Sequence, residues 1–99
     1  MREVTKPRVI LIDKKDNVAT ALEPLKRGTE VSVKVQDVSE KITLLSDIPL
    51  GHKFAMKKIK KNDSVIKYGE PIGRSTKVIA RGEHVHVHNV GSIRRLRRP

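Results

Sequence analysis

The sequence predicts a compact, mainly β domain of short strands with one short helix. Isoleucine, leucine and valine dominate an apolar fraction of 36%, and a core rich in β-branched residues suits sheets better than helix bundles. Turn-forming residues recur at short intervals, which argues against parallel βαβ units. The 99 residues suffice for one domain, which buries roughly two-thirds of its unfolded surface. Aromatic packing contributes little, because the only aromatic residues are Phe54 and Tyr68.

The first two elements follow one another near the N-terminus. The apolar stretch "RVILID" at 8–13 predicts a buried strand. The stretch "DNVATALEPL" then predicts the short helix, with Asp16 or Asn17 as its N-cap and an end at Pro24 or Gly28. Its apolar residues lie near helical spacing, namely Val18, Leu22 and Leu25.

Beyond the predicted helix the chain repeats one small pattern. An apolar residue is followed by a turn former three positions on, then by apolar residues six and eight positions on. In chain order the copies are "LKRGTEVSV", "IPLGHKFAM", "IKKNDSVIK" and "IARGEHVHV", of which the third departs from the pattern at Lys67. Each copy predicts a tight turn, in which Gly or Asn adopts positive φ, followed by a short alternating strand. With "KITLLS" and "EPIGRS" as further strands, the repeats predict one barrel-like or clip-like core.

Three of the four histidines alternate along one predicted strand, as His84, His86 and His88. If Val85 and Val87 face the core, the histidines share the other face, roughly 7 Å apart from one to the next. Two imidazoles can then meet at one ion at about 2.1 Å, whereas the outer two, roughly 13 Å apart, cannot. The pattern therefore indicates a pair that includes His86. Its third ligand would be a carboxylate, His52, a water, a substrate oxygen or a residue of another chain.

The alternative interpretation of the same alternation is an exposed strand face that bears solvated histidines. One His-x-His motif is common, and the residues alone favour neither interpretation.

Two further places carry groups that could do chemistry. His52 and Lys53 follow a turn glycine, so a histidine able to transfer a proton near neutral pH adjoins an ammonium able to bind a carboxylate. Lys67 stands beside Tyr68 where the repeat expects an apolar residue, and a charge that breaks a local rule indicates function. The structural alternatives are a loop histidine with an exposed lysine, and an edge-strand lysine that blocks sheet pairing.

The charge calls for an anionic partner, because the net charge is +11 and the pI is about 10.4. Nucleic acid, an acidic subunit or a carboxylate substrate would each serve. Nucleic acid is disfavoured, since aromatic residues for base stacking are scarce and no helix-turn-helix or RNA-binding signature occurs. The stretch 93–99 contains four arginines, and we interpret it as a basic tail separate from a domain at 1–92.

Other classes of function are excluded by what the sequence lacks. It has no cysteine, Gly-rich phosphate loop, paired catalytic carboxylates or nucleophile triad. The apolar run near the N-terminus is too short for a signal peptide or a membrane span, so we expect a soluble cytoplasmic protein.

Four motifs in order give the chain a resemblance to a known family: "DNVATAL", "IPLGHKFA", "VIKYGEPIG" and "GEHVHVHN". Together they resemble the N-terminal domain of the altronate/galactarate dehydratase family over about residues 10–90. That domain is of the SAF type, related to β-clip domains, so the resemblance implies a SAF/β-clip-like fold. One departure is Asn62–Asp63, where the family has a Gly-acid turn, although Asn tolerates the same conformation.

The resemblance also implies a function, namely metal-dependent dehydration of sugar acids or the related elimination of sulfite from sulfolactate. Many relatives carry this domain on a larger catalytic chain, so the chain is either a small subunit that pairs with a separate large one and is inactive alone, or a fragment. The initial methionine favours the small subunit. The implied cofactor is a divalent metal, iron(II) or manganese(II). The sequence leaves open whether the chain self-associates. It also leaves open a non-catalytic role, in which the chain is a module that binds an anionic sugar or a partner.

The resemblance assigns roles to individual residues where the motifs match. It implies that His86 and His88 bind the metal or orient the substrate, while His84 lies outside the family pattern. His52 is the candidate proton donor. Lys53, Lys67 and Tyr68 are candidates for contact with the substrate.

Overall fold

A computed structural model describes residues 8–92, which form nine strands and contain no helix. The strands are β1 (Val9–Ile10), β2 (Val18–Ala21), β3 (Glu30–Val35), β4 (Val38–Thr43), β5 (Lys53–Ala55), β6 (Ser64–Lys67), β7 (Glu70–Ser75), β8 (His84–Val85) and β9 (Val90–Ser92). The mainly β prediction is confirmed, and the predicted strand "EPIGRS" coincides with β7. The basic tail at 93–99 lies outside the described residues, so its separation from the domain stays a prediction.

The strands form three antiparallel sheets. A four-stranded sheet has the order β1-β2-β5-β8, β3 pairs with β4 as a hairpin, and a three-stranded sheet has the order β6-β7-β9. In the four-stranded sheet, β5 and β8 are neighbours although about thirty residues separate them in sequence. The second and fourth copies of the repeat therefore lie side by side.

The prediction of a helix after Asp16 is wrong, because this stretch forms strand β2. β2 lies inside the four-stranded sheet and packs on both faces: Ala19 and Ala21 belong to one core cluster, and Val18 to the other. A strand buried on both faces shows no apolar–polar alternation, so its sequence looks like a buried helix segment. The expected N-cap residues instead form hydrogen bonds far along the chain.

The first predicted strand is shorter than expected. Of residues 8–13 only Val9–Ile10 are paired, and the side chains of Ile10 and Ile12 are largely exposed. The strand gives way to a local turn, in which the Asp13 carbonyl accepts a hydrogen bond from the Asp16 N–H and its carboxylate accepts one from the Lys15 N–H.

The four repeat turns are confirmed in geometry. Positive φ occurs at each predicted turn former, with values of 89° at Gly28, 81° at Gly51, 75° at Asn62 and 88° at Gly82. In each turn the next residue's N–H donates to the carbonyl three positions earlier, from Thr29 to Lys26, His52 to Pro49, Asp63 to Lys60 and Glu83 to Ala80. The leading apolar residues are buried and pair across the molecule, Leu25 with Ile48 and Ile59 with Ile79.

The fourth repeat breaks its pattern at the histidines. β8 ends at Val85, and Val87, expected to face the core, is 82% exposed. The cause is Asn89, which is fully buried: its side-chain oxygen accepts the His86 N–H and its amide donates to the His84 carbonyl. These bonds turn the chain, so the expectation that three histidines line one straight strand is wrong. Within residues 8–92 no helix occurs that is long and apolar enough to span a bilayer.

A candidate histidine and lysine site

Four histidines from two distant stretches meet where β5 lies beside β8. The register places Phe54 opposite His84 and Lys53 opposite Val85. His52 precedes β5 directly, and His86 follows β8 directly. Phe54 and Val85 are fully buried and anchor the two strands in the core. The fold thereby fixes the backbone of both stretches that carry the histidines.

Three of these side chains form a close group, the histidine trio of His52, His84 and His86. The Nδ1 atom of His52 lies 2.9 Å from the Nε2 atom of His84. One ring nitrogen from each member lies within 4.8 Å of the others, and all three side chains are half-buried. The rings of His52 and His86 stack with centroids 4.2 Å apart. His88 is exposed and stacks on His84 from outside the trio, with centroids 5.2 Å apart.

Two members of the trio, His84 and His86, have pKa values below the ordinary value of histidine. Burial lowers the pKa of His84 from its ordinary value, and the positive charges that His88, His52, His86 and Lys53 would carry lower it further. Burial also lowers the pKa of His86, followed by the charges of His52, Lys53 and His88. A neutral imidazole has one N–H donor and one acceptor nitrogen, so a neutral pair can form the short contact between His52 and His84.

Lys53 adjoins the trio on the same strand. Burial lowers the pKa of its ammonium group, and the nearby charge of Lys67 lowers it further. The Lys67 ammonium lies 4.7 Å from the centre of the Tyr68 ring, within reach of a cation–π contact. A lysine from a second sequence motif thus acts electrostatically on Lys53, which adjoins the histidines.

A cleft of about 360 Å³ opens next to this group. It is lined by Lys53, Ile72, His86, Val87, Val90, Gly91 and Ser92. The exposure of Val87, which the sequence did not predict, gives the cleft an apolar wall beside a lysine and an imidazole. Such a mixture suits a small anionic molecule that also carries CH groups.

Tyr68 and Lys67 owe their position to Asp16 and Asn17. The Asp16 carboxylate accepts hydrogen bonds from the backbone N–H groups of Tyr68 and Gly69. The Asn17 amide donates to the Ser64 carbonyl, and its oxygen accepts the Ile66 N–H. The motifs "DNVA" and "KYG", which are far apart in sequence, are therefore one structural unit.

The structure brings together most of the residues that the sequence singled out. His52, Lys53 and His86 meet at the β5–β8 junction, and the charge of Lys67 acts on Lys53. His84, which the resemblance set aside, joins His52 in the shortest contact of the group. A signal for it existed: pairing the second and fourth repeats as neighbouring strands puts the two histidine stretches together. Metal binding by His86 and His88, and the substrate roles of Lys53, Lys67 and Tyr68, stay predictions.

The fold and the site together define a class, a small β module of glycine-turn repeats with a histidine- and lysine-rich face. The family profile of the altronate/galactarate dehydratase SAF domain matches residues 7–93. The chain belongs to this family, as the four motifs implied.

Two sets of relatives resemble the chain. Altronate dehydratase of Escherichia coli is 55% identical over 74 residues, which is 75% of the chain and 14% of that enzyme. Altronate dehydratase of Bacillus subtilis is 45% identical over 85 residues, which is 81% of the chain and 15% of that enzyme. The alpha subunit of (2R)-sulfolactate sulfo-lyase from Chromohalobacter salexigens is 46% identical over 55 residues, which is 56% of the chain and 58% of that subunit. The chain thus spans only about a seventh of the two dehydratases.

Proposed function

We propose that the chain is the small SAF subunit of a sugar-acid hydro-lyase of the altronate/galactarate type. It works with a separate large catalytic subunit, and the reaction depends on a divalent metal. The observation that carries the proposal is a cleft that Lys53 and His86 both line, in a chain that belongs to this family. The net charge of +11 supports an anionic substrate, an acidic large subunit, or both.

The chemistry of dehydration needs the groups that this face offers. The reaction removes the proton next to a carboxylate and expels the hydroxide from the neighbouring carbon, which gives an enol that becomes a 2-keto-3-deoxy acid. Cations must stabilise the enediolate that develops, and an acid must assist the departing hydroxide.

Roles for individual residues follow from that chemistry. Lys53 and Lys67 bind the substrate carboxylate, and Tyr68 lies against the Lys67 ammonium, which orients it. His52 is the proton donor that the resemblance implies. A divalent metal, iron(II) or manganese(II), supplies further polarisation of the substrate when bound.

The test combines the 99-residue chain with a large dehydratase chain that lacks its own SAF region. We expect 2-keto-3-deoxy acid from altronate or galactarate only when both chains are present. Lys53→Met should lower the rate at least tenfold, and Lys26→Met on an exposed turn serves as the matched control. Turnover by the 99-residue chain alone, or a Lys53→Met mixture as active as the control, would contradict the proposal.

A second candidate is a sulfolactate sulfo-lyase subunit. The resemblance of the chain to the alpha subunit of (2R)-sulfolactate sulfo-lyase supports this candidate. This candidate predicts sulfite release from (2R)-sulfolactate in the same mixture and no product from altronate.

A third candidate is a module that binds an anionic sugar or a partner without catalysis. It predicts binding of a sugar acid that needs no metal and that is indifferent to His86→Ala. Nucleic-acid binding, the least favoured use of the charge, would show steep salt dependence and a large loss on deleting 94–98.

A further inference from the structure

The histidine trio has the composition of a metal site contained in one chain. We propose that His52, His84 and His86 together bind one divalent transition-metal ion. The role of the site as the metal centre of the lyase rests on the proposed function, whereas metal binding itself can be measured on this chain alone. Compared with the residues that the resemblance implies, the proposed site includes His84 and omits His88. It also makes His52 a metal ligand and not a proton donor.

The distances between the ring nitrogens fit a shared ion. Two nitrogens that each lie about 2.1 Å from one ion, at angles of 90–109°, are roughly 3.0–3.4 Å apart. The Nδ1 of His52 and the Nε2 of His84 are 2.9 Å apart. One ring nitrogen from each of the three histidines lies within 4.8 Å of the other two, so a nitrogen of His86 needs to approach by no more than about 2 Å.

Ring rotation supplies that approach. The three rings are nearly parallel, with interplanar angles of 12–18°, whereas ligands of one ion must each direct an in-plane lone pair at it. The torsion that turns an imidazole about its bond to Cβ is broad, so rotation costs little. The backbone carriers need not move: the His52 N–H is held by the Pro49 carbonyl, His84 by the pairing of β8 with β5, and His86 by Asn89.

The donor set selects the kind of metal. Imidazole nitrogen suits Zn²⁺, Fe²⁺, Ni²⁺ and Cu²⁺, whereas Mg²⁺, Ca²⁺ and Mn²⁺ prefer oxygen ligands. Of the two metals that the resemblance implies, three imidazoles therefore favour iron(II). Three protein ligands also leave a coordination position open, which is the arrangement of catalytic metal sites. His86 lines the cleft as well, so the trio adjoins the place where a small anion fits.

The experiment titrates the 99-residue chain, stripped with a chelator, with Zn²⁺ and, without oxygen, with Fe²⁺, in a calorimeter. Mg²⁺ serves as the control metal. We expect one ion per chain, and a loss of affinity of more than about 100-fold in His52→Ala, His84→Ala and His86→Ala. His88→Ala, the matched control in the same loop, should change the affinity less than about threefold. His84→Asn repeats the test in case the alanine variant fails to fold, with circular dichroism as the check.

Two results would overturn the site. If His88→Ala lost as much affinity as His84→Ala, the metal would lie on the His86–His88 pair. If Mg²⁺ bound as well as Zn²⁺, or all variants bound alike, the metal would be held adventitiously on the surface. One-to-one binding that needs the trio upholds the site even when the two-chain assay forms no product, and that failure counts against the proposed function alone.

Discussion

Two groups of polar residues are partly withdrawn from water in this domain, and they differ in what they contact. Asp16 and Asn17 are both 8% exposed, and their side chains bond to backbone groups of distant segments. The histidine trio is half-buried, and its rings contact one another. The side chains of Asp16 and Asn17 find their hydrogen-bond partners in the backbone of the fold. The imidazoles of the trio contact one another instead, and their ring nitrogens can also bind a ligand.

The difference separates structural roles from functional ones. A side chain that bonds to backbone N–H and carbonyl groups cannot be removed without leaving those groups unpaired, and that costs stability. An imidazole that bonds to another imidazole can exchange its partner for a metal or a substrate at little cost. Changes in the first group should therefore lower the stability of the fold, and changes in the second should lower binding.

Asn89→Ala should have the largest effect on stability, because the buried Asn89 side chain bonds to the backbone of two members of the trio. It is fully buried, and its loss leaves the His86 N–H and the His84 carbonyl without their partner. We expect the free energy of unfolding to fall by about 2–5 kcal/mol. Urea denaturation measures the change. Metal affinity should fall as well, because the turn that positions His86 is lost, and an affinity equal to that of the unaltered chain would contradict this link.

Asn17→Ala should lower the free energy of unfolding by about 2–4 kcal/mol, since the Ser64 carbonyl and the Ile66 N–H lose their partner. The folded fraction should bind Zn²⁺ with unchanged affinity, because the trio is not touched. Asn62→Gly is the control: its site has a φ of 75°, which glycine adopts freely, so stability should change by less than about 1 kcal/mol. Loss of Zn²⁺ binding by the folded Asn17→Ala chain would contradict the separation of structural residues from binding residues.

His84→Asn should change the free energy of unfolding by no more than about 1 kcal/mol, because its partners are half-exposed rings. Its effect on Zn²⁺ affinity should nevertheless exceed that of Asn17→Ala. Denaturation and calorimetry on the same preparation give both numbers. A large loss of stability with unchanged affinity would make His84 a structural residue.

Acid should destabilise the metal-free chain slightly. The pKa values of His84 and His86 are lowered below their ordinary value of 6.5, so the unfolded chain takes up protons first as the pH falls. Their contribution is complete above pH 6.5 and is lost as the pH falls from there through the lowered values. Denaturation midpoints in chelator at pH 8, 6.5 and 5 test this, and His84→Asn should flatten the decline. Greater stability at pH 5 than at pH 8 would contradict the assignment.

The repeats show how far the sequence alone could predict the fold. Turn formers with positive φ occur at the expected positions, since glycine and asparagine have a local conformational reason to be there. The strand at β2 was mistaken for a helix, because burial on both faces removes the alternation that identifies a strand. Local signals therefore predicted the turns, while long-range packing decided the strand.

The site shows the same limit. His52, Lys53 and His86 could be singled out from their own motifs, but which histidines meet depends on the pairing of β5 with β8 and on the turn made by Asn89. Asn89 had no alternation or turn signal that distinguished it from an ordinary loop residue. The role of His84 needed the three-dimensional register, whereas the motif pattern pointed to His88.

X-ray absorption at the metal edge of the Zn²⁺-loaded chain tests the central claim most directly, since it counts imidazole ligands. The trio predicts three histidine nitrogens at about 2.0–2.1 Å in the unaltered chain and in His88→Ala. In His84→Asn it predicts two. Two imidazoles in the unaltered chain, or an imidazole lost in His88→Ala and retained in His84→Asn, would contradict the account.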